Sequence, residues 1–177
     1  MRIVVLGVGN ILLSDEGIGV RAIQELDRSY QLPPEVVLID GGTSAMELLD
    51  DLANCDLLIL ADCVRAGNPP GTLLKLKDEE IPALFRTKLS PHQVGLPDVL
   101  ATLLITHEAP KHTILFGVEP ESLATGMDIT AAVAATLPRM VEAIASEIST
   151  HGLAIRAAPR SPDQQLTRPP DFRHYRE

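Results

Sequence analysis

The sequence is poor in aromatic residues and contains no tryptophan. Its 177 residues include three Phe and two Tyr, whereas 45% of the residues are hydrophobic. A core built from this composition must consist mainly of aliphatic side chains, and a chain of this length can bury such a core without disulfides or a structural metal. The same scarcity leaves little material for stacking nucleic-acid bases.

Cysteine and long apolar runs are also scarce. The two cysteines, Cys55 and Cys63, are too few for a disulfide framework and lack CxxC spacing. Both lie in or near one apolar run, which favours buried, reduced thiols in a reducing compartment. No apolar run reaches the roughly 18 residues of a membrane span. The N-terminal run is too short for a signal peptide, so we expect a cytoplasmic protein without membrane contact.

Acidic residues outnumber basic ones. The chain has 24 Asp and Glu and 15 Lys and Arg, which gives a formal net charge of −9. Such a chain has no general positive field for phosphate backbones, which argues against a nucleic-acid partner. The 22 residues from Arg156 onward carry five Arg and four Pro against three acids, so this end is about +2 and the remainder about −11. We therefore predict one α/β domain over residues 1–153 and a Pro/Arg-rich, disordered tail over residues 154–177.

Short apolar runs alternate along the chain with segments of helical periodicity. The runs predict four buried strands, at residues 2–6, 36–39, 57–61 and 113–118. They also predict an edge strand at residues 72–76. Helical spacing predicts four helices, the last interrupted or kinked by Pro138, near residues 16–29, 46–52, 96–104 and 130–150. The alternation predicts an α/β three-layer sandwich with a twisted, mostly parallel sheet of about five strands and helices on both faces.

The turn after the first strand has part of a dinucleotide-binding fingerprint. Gly7 and Gly9 occupy its first two glycine positions, but the third position holds Leu12. Asp15 and Glu16 stand at the start of the following helix, where a pyrophosphate would lie, and two carboxylates there would repel it. The sequence therefore argues against a nucleotide at this turn.

A cation suits the same position better. Ligands of open α/β sheets bind beyond the carboxyl ends of the strands, where Glu16 and Asp62 would supply two oxygen ligands. The imidazole of His92 would complete a set suited to Ni²⁺, Zn²⁺ or Mn²⁺. The structural alternatives are that Asp15 or Glu16 caps the first helix, that Asp62 caps its strand and that His92 is solvated.

Five segments, taken in order, resemble the nickel–iron hydrogenase maturation endopeptidases. They are Gly9–Gly19, Asp40–Ser44, Ala61–Val64 with the Gly-Asn-Pro-Pro-Gly that follows, Ser90–Gln93 and Gly117–Pro120. The resemblance extends over about residues 2–150. It implies a twisted sheet of about five strands and an endopeptidase that removes a short C-terminal extension from the hydrogenase large-subunit precursor once nickel has been inserted.

The resemblance also implies roles for individual residues. The family's metal-contacting acid, Asp and His correspond here to Glu16, Asp62 and His92, and the nickel arrives with the substrate as a recognition element. We expect these three residues to be catalytic by completing the nickel coordination, with a metal-bound water or a carboxylate as general base. Asp40 is expected either to line the cleft and place the substrate tail or to serve as a turn acid. A non-catalytic nickel chaperone of hydrogenase assembly remains the alternative function.

Overall fold

The computed structural model describes residues 1–43, 45–82 and 96–158, which fold around a five-stranded sheet. Its strand order is β3-β1-β4-β6-β5, for β1 (Ile3–Val8), β3 (Val36–Gly42), β4 (Leu57–Cys63), β5 (Leu73–Lys77) and β6 (His112–Val118). β5 pairs antiparallel with β6 at the edge, and the other neighbours pair in parallel. The predicted α/β class, mostly parallel sheet and edge strand are confirmed.

Helices cover both faces of this sheet. They are α1 (Ile18–Ser29), α2 (Leu49–Leu52), α3 (Leu96–Ile105) and α4 (Ala131–Thr150), with short 3₁₀ turns at Ser14–Gly17 and Ala45–Leu48. Alternate strand residues point to opposite faces. Ile3 and Val5 therefore pack with α1 and α4, whereas Val4 and Leu6 pack with α2 and α3. The three layers follow from this alternation. The helix α4 runs through Pro138 as one continuous element.

The first residues of the predicted tail include a short strand. Arg156–Ala157 forms strand β7, which pairs antiparallel with strand β2 (Tyr30–Gln31) directly after α1. Ile155 packs against the core. Arg156 and Ala157 are exposed and pair only through their backbones, so their side chains give no apolar pattern to detect. Residues 159–177, the rest of the predicted tail, lie outside the described residues.

The remaining sequence expectations concern membranes and thiols. In the described ranges, no helix combines the length and the hydropathy that crossing a bilayer requires. Cys55 and Cys63 are both buried thiols, as their place in an apolar run predicts. Burial raises the pKa of the Cys55 thiol to about 11, so this thiol is protonated at neutral pH.

Candidate active site

Two buried carboxylates lie at the carboxyl edge of the sheet, after neighbouring strands. β1 and β4 are adjacent and level there, because Gly7 pairs with Ala61. Glu16 follows β1 in the 3₁₀ turn, and Asp62 is the penultimate residue of β4. Their exposed fractions are 8% and 3%. The fold thus brings these two predicted ligands to the same edge and removes both from bulk water.

Close backbone packing at two glycines holds the loop after β1 in place. A Cβ on Gly9, whose φ is +135°, would lie 1.9 Å from the carbonyl oxygen of Glu16. A Cβ on Gly19 would lie 2.1 Å from the Ala61 carbonyl oxygen and 2.3 Å from that of Val8. Only glycine permits approaches this close. The start of α1 therefore rests directly on the ends of β1 and β4, next to Glu16.

Burial and neighbouring acids raise the pKa of the Cys63 thiol. Burial is the main reason why the pKa of Cys63 lies well above its ordinary value, and the charges of Asp62, Glu16 and Asp15 raise it further against the opposing effect of Arg65. Asp62 also accepts a hydrogen bond from the Cys63 backbone N–H at 2.7 Å. Cys63 is thus a neutral thiol among acids.

His92, the predicted third ligand, lies in residues 83–95 and therefore outside the described residues. Within the ranges that are described, no three His, Cys, Asp or Glu side chains are arranged to hold a metal ion. The structure therefore places Glu16 and Asp62 together, and the three-residue metal contact stays a prediction.

Asp15 does not cap the first helix. α1 begins only at Ile18, its N-cap is Gly17, and no side chain caps it. The Asp15 carboxylate instead accepts hydrogen bonds from the backbone N–H groups of Glu121, Ser122 and Thr130 at 2.9, 2.9 and 2.7 Å, and from the Thr130 hydroxyl at 3.0 Å. The local-cap prediction fails because a 3₁₀ turn delays the helix and the true donors lie more than 100 residues away.

Glu119 is a buried acid to which the sequence assigned no role. It is 6% exposed and follows β6. Its carboxylate accepts hydrogen bonds from the backbone N–H groups of Ala66, Gly67 and Asn68 at 2.7, 3.2 and 3.1 Å. These residues belong to the loop after β4, so Glu119 anchors the chain that leaves Asp62. The sequence feature that could have identified Glu119 is an acid directly after a predicted strand, the same feature that identified Asp62.

Asp40 stabilises a turn at the same edge. It lies on β3 opposite Gly7, is exposed, and its Oδ1 accepts the Gly42 N–H at 3.0 Å. Gly42 has a φ of +45°, which glycine adopts without strain. Partial desolvation raises the pKa of Asp40 above its ordinary value, against the lowering effect of the Gly42 hydrogen bond. The turn role is therefore observed, and the cleft role stays a prediction.

Exposed apolar side chains lie on the loops beside Glu16. Ile11, Leu12 and Met127, which we call the apolar rim, are 38%, 54% and 61% exposed. Their loops are joined, because Gly126 donates its N–H to the Leu12 carbonyl oxygen at 2.9 Å and Arg21 donates to the carbonyl oxygen of Met127. The rim thus belongs to an ordered edge of the candidate site.

Comparison with known proteins gives consistent matches. The HycI family model, described as hydrogenase maturation protease, matches residues 20–147. The hydrogenase 2 maturation protease of Escherichia coli is 51% identical over 161 residues, which are 90% of this chain and 97% of that protein. The hydrogenase expression/formation protein HupD of Bradyrhizobium diazoefficiens is 35% identical over 169 residues, which are 93% and 88% of the two chains.

A solved structure shows the same architecture. The hydrogenase maturating endopeptidase HybD from E. coli superposes with a TM-score of 0.85 at 49% sequence identity, and the match covers 89% of this chain and 98% of that one. The parallel sheet and its helices therefore match those of a known endopeptidase almost from end to end.

Proposed function

Because this chain belongs to the hydrogenase maturation protease family, we propose that it removes the C-terminal extension of a nickel-loaded large-subunit precursor of a nickel–iron hydrogenase. One observation carries the proposal. Glu16 and Asp62, both buried, lie after adjacent strands at the sheet edge where α/β proteins bind ligands. Two carboxylates held close together in surroundings poor in water attract a divalent cation strongly. The nickel of the precursor is such a cation.

In this proposal, nickel belongs to the substrate and serves as the recognition element. Glu16, Asp62 and His92 contact it when the precursor docks. A precursor without nickel would bring no charge to offset the mutual repulsion of the two carboxylates, so it would dock poorly. The protease would thereby act on a large subunit only after metal insertion.

The contact with nickel also places the scissile bond for hydrolysis. Water attacks the peptide carbonyl carbon, the C–N bond breaks, and the proton that water loses is finally carried by the leaving amine. A carboxylate of the pair takes up that proton first. With the precursor docked, the positive charge of its nickel would favour the oxyanion that forms at the carbonyl oxygen. Asp40, at the same edge, would help to place the extension.

The apolar rim gives the polypeptide a surface to pack against. A protease must hold an extended chain on both sides of the bond that it cleaves, and backbone contacts alone give little affinity. Leu12 and Met127, more than half exposed beside Glu16, would bury apolar area against the precursor. We therefore assign the rim to substrate binding.

We place the reaction in the cytoplasm. Disulfides are rare in that reducing compartment, and both cysteines of this chain are buried thiols. A reducing compartment is therefore consistent with the two buried thiols of this chain.

The test is cleavage of purified precursor, with and without nickel, followed by mass spectrometry of the released peptide. We expect cleavage of the nickel-loaded form only, and its loss in Glu16→Gln, Asp62→Asn and His92→Ala. Glu142→Gln, which changes an exposed acid of α4, and His112→Ala on β6 serve as matched controls that cleave normally. Normal cleavage by the three site variants would overturn the site, and equal cleavage of nickel-free precursor would overturn nickel recognition.

A further inference from the structure

Glu16 lies in the 3₁₀ turn after β1 and Asp62 near the end of β4, and one further segment is bonded both to that turn and to the loop that follows β4. This segment, residues 119–130, runs from the end of β6 to the N-cap of α4; we call it the support segment. Two buried carboxylates, Asp15 and Glu119, make hydrogen bonds that join it to the loops. Neither of them is among the predicted metal contacts.

The first junction is at Asp15, whose side chain is fully buried. Its two oxygens accept four hydrogen bonds from the support segment, three at Oδ2 and one at Oδ1. Most of the acceptor capacity of this carboxylate is therefore used by the support segment. Backbone contacts reinforce the junction, since Ser14 donates its N–H to Gly126 at 2.7 Å and Asp15 donates its own to Ser122 at 3.2 Å. Glu16 follows directly.

The second junction is at Glu119, the first residue of the support segment. Its carboxylate accepts three consecutive backbone N–H groups of the loop after β4. The backbone N–H of Val64 also donates to the Val118 carbonyl oxygen at 2.9 Å. The chain that leaves Asp62 is thereby fixed to the end of β6, and through it to the support segment.

The two junctions matter because the site gathers like charges. Asp15 and Glu16 lie in the turn after β1 and Asp62 lies near the end of the adjacent β4, so three like charges gather at one edge of the sheet and repel one another. Without the two junctions, fewer contacts would oppose this repulsion in the turn that carries Glu16 and in the loop that follows Asp62. A misplacement of about 1 Å in a catalytic site can cost on the order of a hundredfold in rate.

We propose that Asp15 and Glu119 are positioning residues that set the separation of Glu16 and Asp62 through the support segment. The proposal rests on the proposed function, in which Glu16 and Asp62 contact the nickel of the precursor. Asp15 fixes the turn that carries Glu16, and Glu119 fixes the loop that follows Asp62. The turn after β1 and the loop after β4 are both bonded to the support segment. They therefore keep a fixed position relative to each other.

The test uses Asp15→Asn and Glu119→Gln, which preserve shape but replace one acceptor oxygen by an NH₂ group that cannot accept an N–H. Each variant is assayed with nickel-loaded precursor at a temperature at which it is fully folded. We expect kcat to fall at least about tenfold while KM stays within about threefold, since alignment is lost and the docking surface is kept. Glu147→Gln makes the same change at a buried acid of α4 and is expected to lower Tm but not kcat.

Three outcomes separate the possibilities. Wild-type kcat in both variants, despite a lowered Tm as in Glu147→Gln, would show that the two acids only stabilise the fold and would overturn the proposal. A raised KM with unchanged kcat would overturn it as well. If Asp15→Asn does not fold, Thr130→Val removes only the hydroxyl hydrogen bond to Asp15, and kcat should still fall, by about two- to fivefold. The proposed function fails separately, if Glu16→Gln cleaves normally.

Discussion

Asp15 and Thr130 are joined by two hydrogen bonds across 115 residues of sequence. The Thr130 N–H donates to Oδ1 at 2.7 Å, and the Thr130 hydroxyl donates to Oδ2 at 3.0 Å. Thr130 is the N-cap of α4, so an acid from the loop after β1 fixes the start of the last long helix. The candidate site and the packing of α4 are thereby linked.

Thr130→Val tests the stability that this link provides. The substitution removes the hydroxyl donor and leaves the backbone donor, so we expect a loss of about 1.5–3 kcal/mol in the free energy of unfolding, as for a hydrogen bond to a charged group. Urea unfolding measures it. Thr130→Ser keeps a hydroxyl and should stay close to wild type; equal losses in the two variants would show that the hydroxyl contributes nothing.

Gly19→Ala tests the packing of α1 against the strand ends. The new Cβ would lie 2.1 Å from the Ala61 carbonyl oxygen and 2.3 Å from that of Val8. Both are backbone atoms, so the helix must move and we expect a loss of at least about 2 kcal/mol in unfolding free energy. Cleavage should fall as well, because Glu16 precedes this helix.

Gly126→Ala is the control for that substitution. Its Cβ would meet only the Ser14 Oγ, at 3.3 Å, and a side-chain atom can yield. We expect a cost below about 1 kcal/mol. If Gly19→Ala unfolds at the same urea concentration as Gly126→Ala, the close approach at Gly19 does not constrain the fold.

The pair of Lys75 and Glu147 predicts a dependence of stability on pH. Burial alone would raise the pKa of Glu147, but the hydrogen bond from Lys75 at 2.5 Å and the charges of Lys75 and Lys77, with help from His151, lower it below the ordinary value of 4.5. A carboxyl whose pKa is lower in the folded state stabilises the fold above its unfolded pKa, and this contribution is lost as the pH falls through the folded pKa.

We therefore expect the stability difference between wild type and Glu147→Gln to be constant from about pH 7 to 5 and to shrink below about pH 4.5. Urea unfolding as a function of pH measures the difference. Glu142→Gln, on the same helix but exposed, should show no such change. A difference that stays constant down to pH 3 would contradict the pKa direction.

The sequence predicted those features whose signals are local. The parallel strands appear as continuous apolar runs because both faces of the sheet are covered. The end of such a run at Asp62 marked a carboxyl edge, and this predicted that Glu16 and Asp62 lie at the same edge of the sheet, as they do in the structure. β5, with leucine and lysine in Leu73–Lys77, showed the mixed character of an edge strand.

Features that depend on distant partners could not be predicted in this way. Asp15 looks like a helix cap because acids are common there, and its real donors follow β6. Glu119 binds backbone N–H groups, which every residue except proline carries, so no side-chain pattern identifies its partners. β7 pairs through its backbone alone. Each case requires the tertiary fold.

The apolar rim gives a prediction about substrate affinity. Leu12 and Met127 are exposed beside Glu16, and burying each against the precursor should contribute about 1 kcal/mol. Leu12→Gln and Met127→Gln should each raise KM roughly fivefold with kcat nearly unchanged, because the lost contact acts equally in the ground state and the transition state. Steady-state cleavage of the nickel-loaded precursor measures both constants.

Leu104→Gln and Ile105→Gln are the matched controls for the rim. These side chains are even more exposed, at 68% and 78%, but they lie at the end of α3. They should leave KM unchanged, and all four variants should keep the Tm of wild type, since an exposed side chain contributes little to folding. If KM rises equally in all four, general surface hydrophobicity governs precursor binding, and the rim has no specific part in it. A rise confined to Leu12 and Met127 locates the polypeptide along the edge that carries Glu16.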